Sequence, residues 1–152
     1  MENIRKAQVK DLSRIGEILT FNNRINFFPI FKDEEFSFST VNVLYYVKEH
    51  LEDDMKLLKQ TYVYDDGIVR GLIRIDGKEV NKLFVEPAFQ SMGIGAKLLE
   101  YAVKEHGVNF LWALEKNHRG IEFYRRHGFV PNGEKEFEEG TDEYLVKLVR
   151  CE

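Results

Sequence analysis

Hydrophobic residues recur along this chain with two different periods, and the switches between them mark its elements. "NIRKA" is a short strand candidate, and "VKDLSRIGEILTF" then sets Leu12, Ile15, Ile18 and Leu19 on one helical face. "FNNRINFFPIFKDEEFSF" has no period and carries six phenylalanines and a proline, which predicts a loop or an irregular helix. A helix follows through "STVNVLYYVKEHLEDDMKLL", with Val43, Tyr46, Val47 and Leu51 aligned. In "TYVYDDGIVRGLIRIDGKEVNKLFVEP" the polar breaks "DDG" and "DGK" separate three alternating runs, the pattern of antiparallel strands in hairpin order. After Pro87 the helical period returns: Ile94, Leu98, Leu99, Ala102 and Val103 share a face, opposite Lys97, Glu100, Lys104 and Glu105. Gly107 ends that helix. "VNFLWAL" reads as a buried strand, "NHRGIEFYRRHG" as a short helix capped by Asn117 and closed by Gly128, and "FVP" and "DEYLVKLV" as closing strands. The predicted order is β, α, α, β, β, β, α, β, α, β, β.

Composition narrows the class. At 152 residues and 43% hydrophobic, the chain can bury a core of its own, and no linker, repeat or low-complexity tract divides it, so residues 1–152 are expected to form one domain. No apolar run approaches the roughly 18 residues of a membrane span. "MENIRKAQ" lacks a signal-peptide core, so a cytoplasmic protein with no membrane partner is expected. Cys151 is the one cysteine, which excludes an intrachain disulfide and a thiolate metal site. His50, His106, His118 and His127 show no metal-ligand spacing, and no metal is predicted. A net charge of -4 offers nucleic acid no global attraction.

The chemistry concentrates in "QSMGIG", residues 90 to 95, between a predicted strand and a predicted helix. Gly93 and Gly95 would leave uncovered the first-turn amides, which have no partner within the helix and sit at its positive end. Phosphate matches such converging donors. A P-loop is excluded because Ala96, Lys97 and Leu98 follow Gly95. A dinucleotide fingerprint is excluded by Leu98 where a third glycine or alanine should stand.

With its flanks, "EVNKLFVEPAFQSMGIGAKLLEYA" resembles the coenzyme A-binding motif of the GNAT superfamily of acyl-CoA-dependent N-acetyltransferases. Gln90, Gly93 and Gly95 fill the Gln/Arg-x-x-Gly-x-Gly/Ala core, and Val85 and Pro87 give the preceding signature. "IRKAQVKDLSRIGEIL" and "NHRGIEFYRRHGF" resemble the family's opening and later blocks, so the likeness spans nearly all the chain. It implies an α/β (α+β) GNAT fold with a mixed, mostly antiparallel twisted sheet flanked by helices. Acetyl-CoA is the implied cosubstrate, held by Leu83, Val85, Gln90, Ser91, Met92, Gly93, Ile94, Gly95, Ala96, Asn117 and Tyr124. The implied partner is a small-molecule or peptide amine acceptor, and a sheet edge of such a fold can pair with a second copy as a homodimer.

The same resemblance assigns roles. An alkyl ammonium with a pKa of about 10.4 leaves only about one amine in 2,500 nucleophilic at pH 7, so a base is needed. Glu79, on the strand before the motif, is the candidate that takes the proton directly or through water; its other reading is a surface carboxylate. Main-chain groups at Leu83 and Val85 would bond the pantetheine arm, with Leu83 N–H facing the thioester carbonyl. Tyr124, seven residues after Asn117, is the candidate acid for the departing thiolate, or else a residue packed under the sheet. Asn117 would cap its helix, contact the cofactor, or do both.

Trp112 stands where one family branch carries a glutamate base, a departure that argues against that branch's mechanism. Phe27, Phe28, Phe31, Phe36 and Phe38 would either wall an acceptor pocket or fasten an irregular loop, and Arg119 is near enough to meet a phosphate. Two functions remain: an N-acetyltransferase working by direct attack in a ternary complex, and a noncatalytic acyl-CoA-binding or regulatory module.

Overall fold

A computed structural model describes residues 3–151 and realises the predicted order of elements. The strands are β1 (Ile4–Lys6), β2 (Thr61–Asp65), β3 (Val69–Asp76), β4 (Glu79–Val85), β5 (Phe110–Leu114), β6 (Phe129–Phe137) and β7 (Tyr144–Arg150). The helices are α1 (Leu12–Asn22), α2 (Phe28–Phe31), α3 (Val43–Lys59), α4 (Ile94–His106) and α5 (His118–Arg126). They surround one sheet in the order β1-β2-β3-β4-β5-β7-β6. Among the described residues no helix is long and apolar enough to cross a membrane.

Every strand pairing is antiparallel except β4 with β5, which is parallel and registers at one pair, Glu79 with Phe110. Beyond that pair the strands part. Glu86 N–H donates to Arg70 O at 2.8 Å, which continues the β3 ladder through residues 82, 84 and 86. Residues alternate between facing one neighbour and the other, so the amides of Leu83 and Val85 turn toward the gap. The site is built around that opening.

Both faces of the sheet are covered. On one, α4 buries Leu98 and Leu99 against Ile73, Leu111, Phe129 and Leu148, none more than 2% exposed. On the other, α1 sets Ile15 and Ile18 against Val63 and Leu72. Gly16 lets α3 come close, since a Cβ there would lie 2.9 Å from Val43 Cγ1. Phe129→Ala should cost about 3–5 kcal/mol, read as a lower urea midpoint, because the emptied volume is walled by strands that cannot collapse into it.

The second predicted helix is not continuous. Glu52 is extended and Asp53, Asp54 and Met55 adopt left-handed backbone with φ of 51°, 57° and 59°. Leu51, expected on the buried face, is instead 45% exposed at the break. Glu49 would face Glu52 and Asp53 at the i+3 and i+4 spacings, where like charges disfavour helix, and aspartate tolerates the left-handed region better than most residues. After the break Met55 and Leu58 return to the core beside α1. The aperiodic segment holds two wide π-helical turns, Asn23–Phe27 and Phe36–Thr40, on either side of the single turn of α2.

At the first strand, Arg5 bonds Asp11 at 2.8 and 2.9 Å and Asp65 at 2.9 Å. Burial by itself would raise the Asp11 carboxyl, but the Arg5 guanidinium and the Gln8 amide together outweigh it and hold the group below its usual range. A depressed carboxyl contributes stability above its unfolded value and loses it as pH falls through the folded value. Unfolding followed below about pH 4 should show this loss, and Asp11→Asn should remove that part of the acid sensitivity.

Candidate active site

The approach to α4 is a sequence of constrained turns. Pro87–Phe89 makes a short 3-10 turn, Gln90 is extended, Ser91 has φ of 67° and Gly93 has φ of 82°. Gly93 is the N-cap of α4 and no side chain caps that end, so its first-turn amides stay open. A Cβ on Gly93 would meet nothing within 4 Å. No side chain of the described residues caps those amides, and the helix dipole favours an anion there. Gly95 does something else: its Cβ would lie 3.4 Å from Phe123 Cζ and 3.7 Å from Val85 Cγ2, so it sets the packing of α4 near α5.

Gln90 braces this turn from behind. Its amide donates to Val85 O at 3.3 Å and to Asn22 Oδ1 at 3.4 Å. Asn22, buried at the end of α1, donates to Ile18 O at 2.9 Å and to Val85 O at 3.0 Å, and accepts from Asn26 at 3.0 Å. It lashes α1 to the open edge of β4 just where that strand lacks a neighbour. Asn22→Leu should cost about 1–3 kcal/mol in denaturant unfolding, since it takes the acceptor from the Asn26 and Gln90 amides, leaves Val85 O with Gln90 alone and loosens the turn.

The gap between β4 and β5 widens into a cleft of about 1380 Å³ whose lining includes Leu83, Val85, Gly93, Gly95, Asn117 and Tyr124. Gln90, Ser91, Ile94 and Ala96 line it as well. Met92 does not; it is 62% exposed. Glu79 also lies outside the lining, at the closed end where β4 and β5 still pair. Burial raises its carboxyl, helped by the charges of Asp76 and Glu136. Of the two predicted routes, direct proton transfer to Glu79 does not fit this placement, and a water-mediated one remains.

Tyr124 is half-buried on α5, held by the rings of Phe123 at 5.3 Å and Phe129 at 6.4 Å. Among the described residues nothing bonds its hydroxyl, which is not sealed from the cleft. Burial pushes the phenol well above its usual range, so it keeps its proton at neutral pH. Asn117 caps α5 by accepting from Gly120 N–H at 3.2 Å. Gly120 makes room for it, as a Cβ there would sit 2.5 Å from Asn117 Nδ2, and that nitrogen is left for the cleft. The spacing N-x-x-G carried that signal in the sequence.

Trp112 and the exposed Arg119 line the cleft too. The phenylalanines divide: Phe27, Phe31 and Phe36 line it, with Phe27 edge-on to Phe84 at 5.8 Å, while Phe28 and Phe38 pack on each other at 5.1 Å and wall a separate, shallower hollow. Two cations went unmarked in the sequence reading. Arg74 of β3 and Lys82 of β4 line the cleft, although strand alternation alone does not tell a cleft face from a solvent face.

Comparison with known proteins agrees with this geometry. Residues 58–131 match the acetyltransferase (GNAT) domain family. The peptidyl-lysine N-acetyltransferase YiaC of Escherichia coli is 33% identical over 72 residues, 46% of this chain and 49% of that protein, so the match spans about half of the relative's length. Over nearly the whole chain the fold is that of solved acetyltransferases. YncA of Salmonella typhimurium, solved with acetyl-CoA, aligns with a TM-score of 0.67 at 20% identity over 96% of this chain and 91% of its own. PaiA N-acetyltransferase of Thermoplasma acidophilum, solved with coenzyme A, gives 0.64 at 20% identity over 95% and 96%. An N-acetyltransferase of Staphylococcus aureus Mu50 gives 0.71 at 14% identity over 96% and 98%.

Proposed function

We propose that this chain is a member of the GNAT superfamily, an acetyl-CoA-dependent N-acetyltransferase acting by direct attack of a primary amine in a ternary complex. One observation carries the reading. The amides of Leu83 and Val85, left without a strand partner, lead along β4 into the uncapped first turn of α4, and the unbonded Tyr124 hydroxyl opens on the same cleft.

The residues fit the cosubstrate. Uncapped amides and the empty space over Gly93 suit a pyrophosphate, and the free edge of β4 suits a pantetheine arm laid alongside as an added strand. Bound there, acetyl-CoA supplies an activated carbonyl carbon. Leu83 N–H donates to the carbonyl oxygen as negative charge grows on it, and the donor needs no reorganisation because β4 fixes it. Tyr124 O–H gives its proton to the departing sulfur, and Asn117 Nδ2 holds the cofactor near that point. The amine's proton leaves through water, with Glu79 at the closed end as the terminal acceptor.

Calorimetric titration with acetyl-CoA, followed by thiol release with a panel of primary amines, tests the reading. Micromolar binding with turnover supports it. Binding without thiol release from any amine leaves the noncatalytic acyl-CoA-binding module, and no binding at all ends both.

A further inference from the structure

Arg74 and Lys82 are direct partners across β3 and β4, so two cations share one face of the sheet. Like charges set opposite each other on a sheet are unfavourable. Burial makes this pair more so: Arg74 is 7% exposed and Lys82 is half-buried, and burial followed by the Arg74 charge lowers the Lys82 ammonium from its usual range. Among the described residues neither cation forms an ion pair, and Glu49 of α3, which also lines the cleft, stays outside ion-pair distance of both.

The guanidinium is nonetheless fixed in place. The β3–β4 ladder slips between Arg74 and Ile75, leaving Asn81 as the extra residue of a bulge, and Arg74 Nε donates to Asn81 Oδ1 at 2.8 Å. Such bulges re-aim side chains. Among the described residues both terminal nitrogens of Arg74 lack a protein partner, yet neither is sealed, and the residue lines the cleft. A planar fork of donors, held from behind and free in front, is the geometry that receives a carboxylate in two parallel hydrogen bonds.

We propose that Arg74, with Lys82 beside it, binds a carboxylate on the acceptor, so that the substrate is an amine that also bears an acid group, an amino acid rather than a simple alkylamine or polyamine. This rests on the acetyltransferase reading and names its acceptor class. Carboxylates share the cleft lining with these cations: Glu49, Glu138, Glu139 and Asp142. A zwitterion suits a lining of both signs: its carboxylate enters toward the two cations and its ammonium is balanced by the carboxylates. Phe27 and Phe31, on the same cleft, suit an apolar side chain.

The test compares amines that differ only in the carboxylate, phenylalanine against phenethylamine and leucine against 3-methylbutylamine, by thiol release from acetyl-CoA. The acids are expected to be better by about 10- to 100-fold in kcat/KM, the range of a charge-assisted bidentate pair. Arg74→Gln should narrow the gap to within about threefold, chiefly through KM for the acid, with acetyl-CoA affinity and melting temperature as controls that a merely structural role would move. If Arg74→Gln does not fold, Lys82→Met is put through the same comparison. Equal or reversed preference in the unaltered protein overturns the proposal. If no amine turns over, 3-phenylpropionate is titrated into the protein saturated with coenzyme A: binding that Arg74→Gln or Lys82→Met abolishes supports the carboxylate site, and no binding at millimolar concentration sinks it. Failure of acetyl-CoA to bind would instead strike the underlying acetyltransferase reading.

Discussion

Tyr124→Phe should lower kcat by about 100- to 1,000-fold while leaving the Kd of acetyl-CoA within about twofold, because the ring still packs and only the transferable proton is gone. The hydroxyl bonds no protein group among the described residues, so its removal strands no partner, and folding should be little affected. With stability accounted for, the kinetic loss reports on the proton. Burial raises this phenol, so the acid form persists above the pH at which an exposed tyrosine ionises. If Tyr124 is the acid, kcat should not fall on the alkaline side until well above pH 10, and Tyr124→Phe should leave no such limb. Unchanged turnover in Tyr124→Phe would return the residue to a packing role beside Phe129.

Gly93→Ala should weaken acetyl-CoA about 10- to 100-fold in Kd, measured by titration calorimetry. Two effects act together. A side chain at φ of 82° pays the left-handed penalty of about 1–2 kcal/mol, and the new methyl stands at the N-cap of α4, beside its uncapped amides. Gly95→Ala is the control. It has no positive φ, and its Cβ would make ordinary contact with Phe123 and Val85, so its effect should fall on packing and be several-fold smaller on cofactor affinity. Equal losses in the two variants would mean that the turn acts through its packing and not through an anion over Gly93.

Most of the architecture was legible because hydrophobic period follows secondary structure so closely. Leu12, Ile15, Ile18 and Leu19 are all buried on α1, and Ile94, Leu98, Leu99 and Ala102 on α4, as their spacing predicts. The three alternating runs became the β2–β3–β4 meander. The exception, α3, broke where a cluster of carboxylates interrupts an otherwise good period, and periodicity is blind to that local repulsion. In the site, the motif block placed Gly93, Asn117 and Tyr124 on one cleft. Met92 fell outside because a motif records spacing and not the direction in which a side chain leaves a strained turn. Asn22 escaped notice because a single polar residue at the end of an apolar helix looks like a boundary, whereas here it holds Val85 O.

The sequence by itself determined the order of elements, the glycine turn and the residue types able to hold a phosphate and move a proton, since these depend on local period and on short spacings. Tertiary structure alone decided that β4 and β5 part after one pair, that Glu79 stays at the closed end, and that Arg74 and Lys82 face the cleft together. Those facts depend on which strands become neighbours and where a ladder slips, and residue pairs 8 and 31 positions apart in the chain make them, Arg74 with Lys82 and Glu79 with Phe110. No local pattern carries information across such separations.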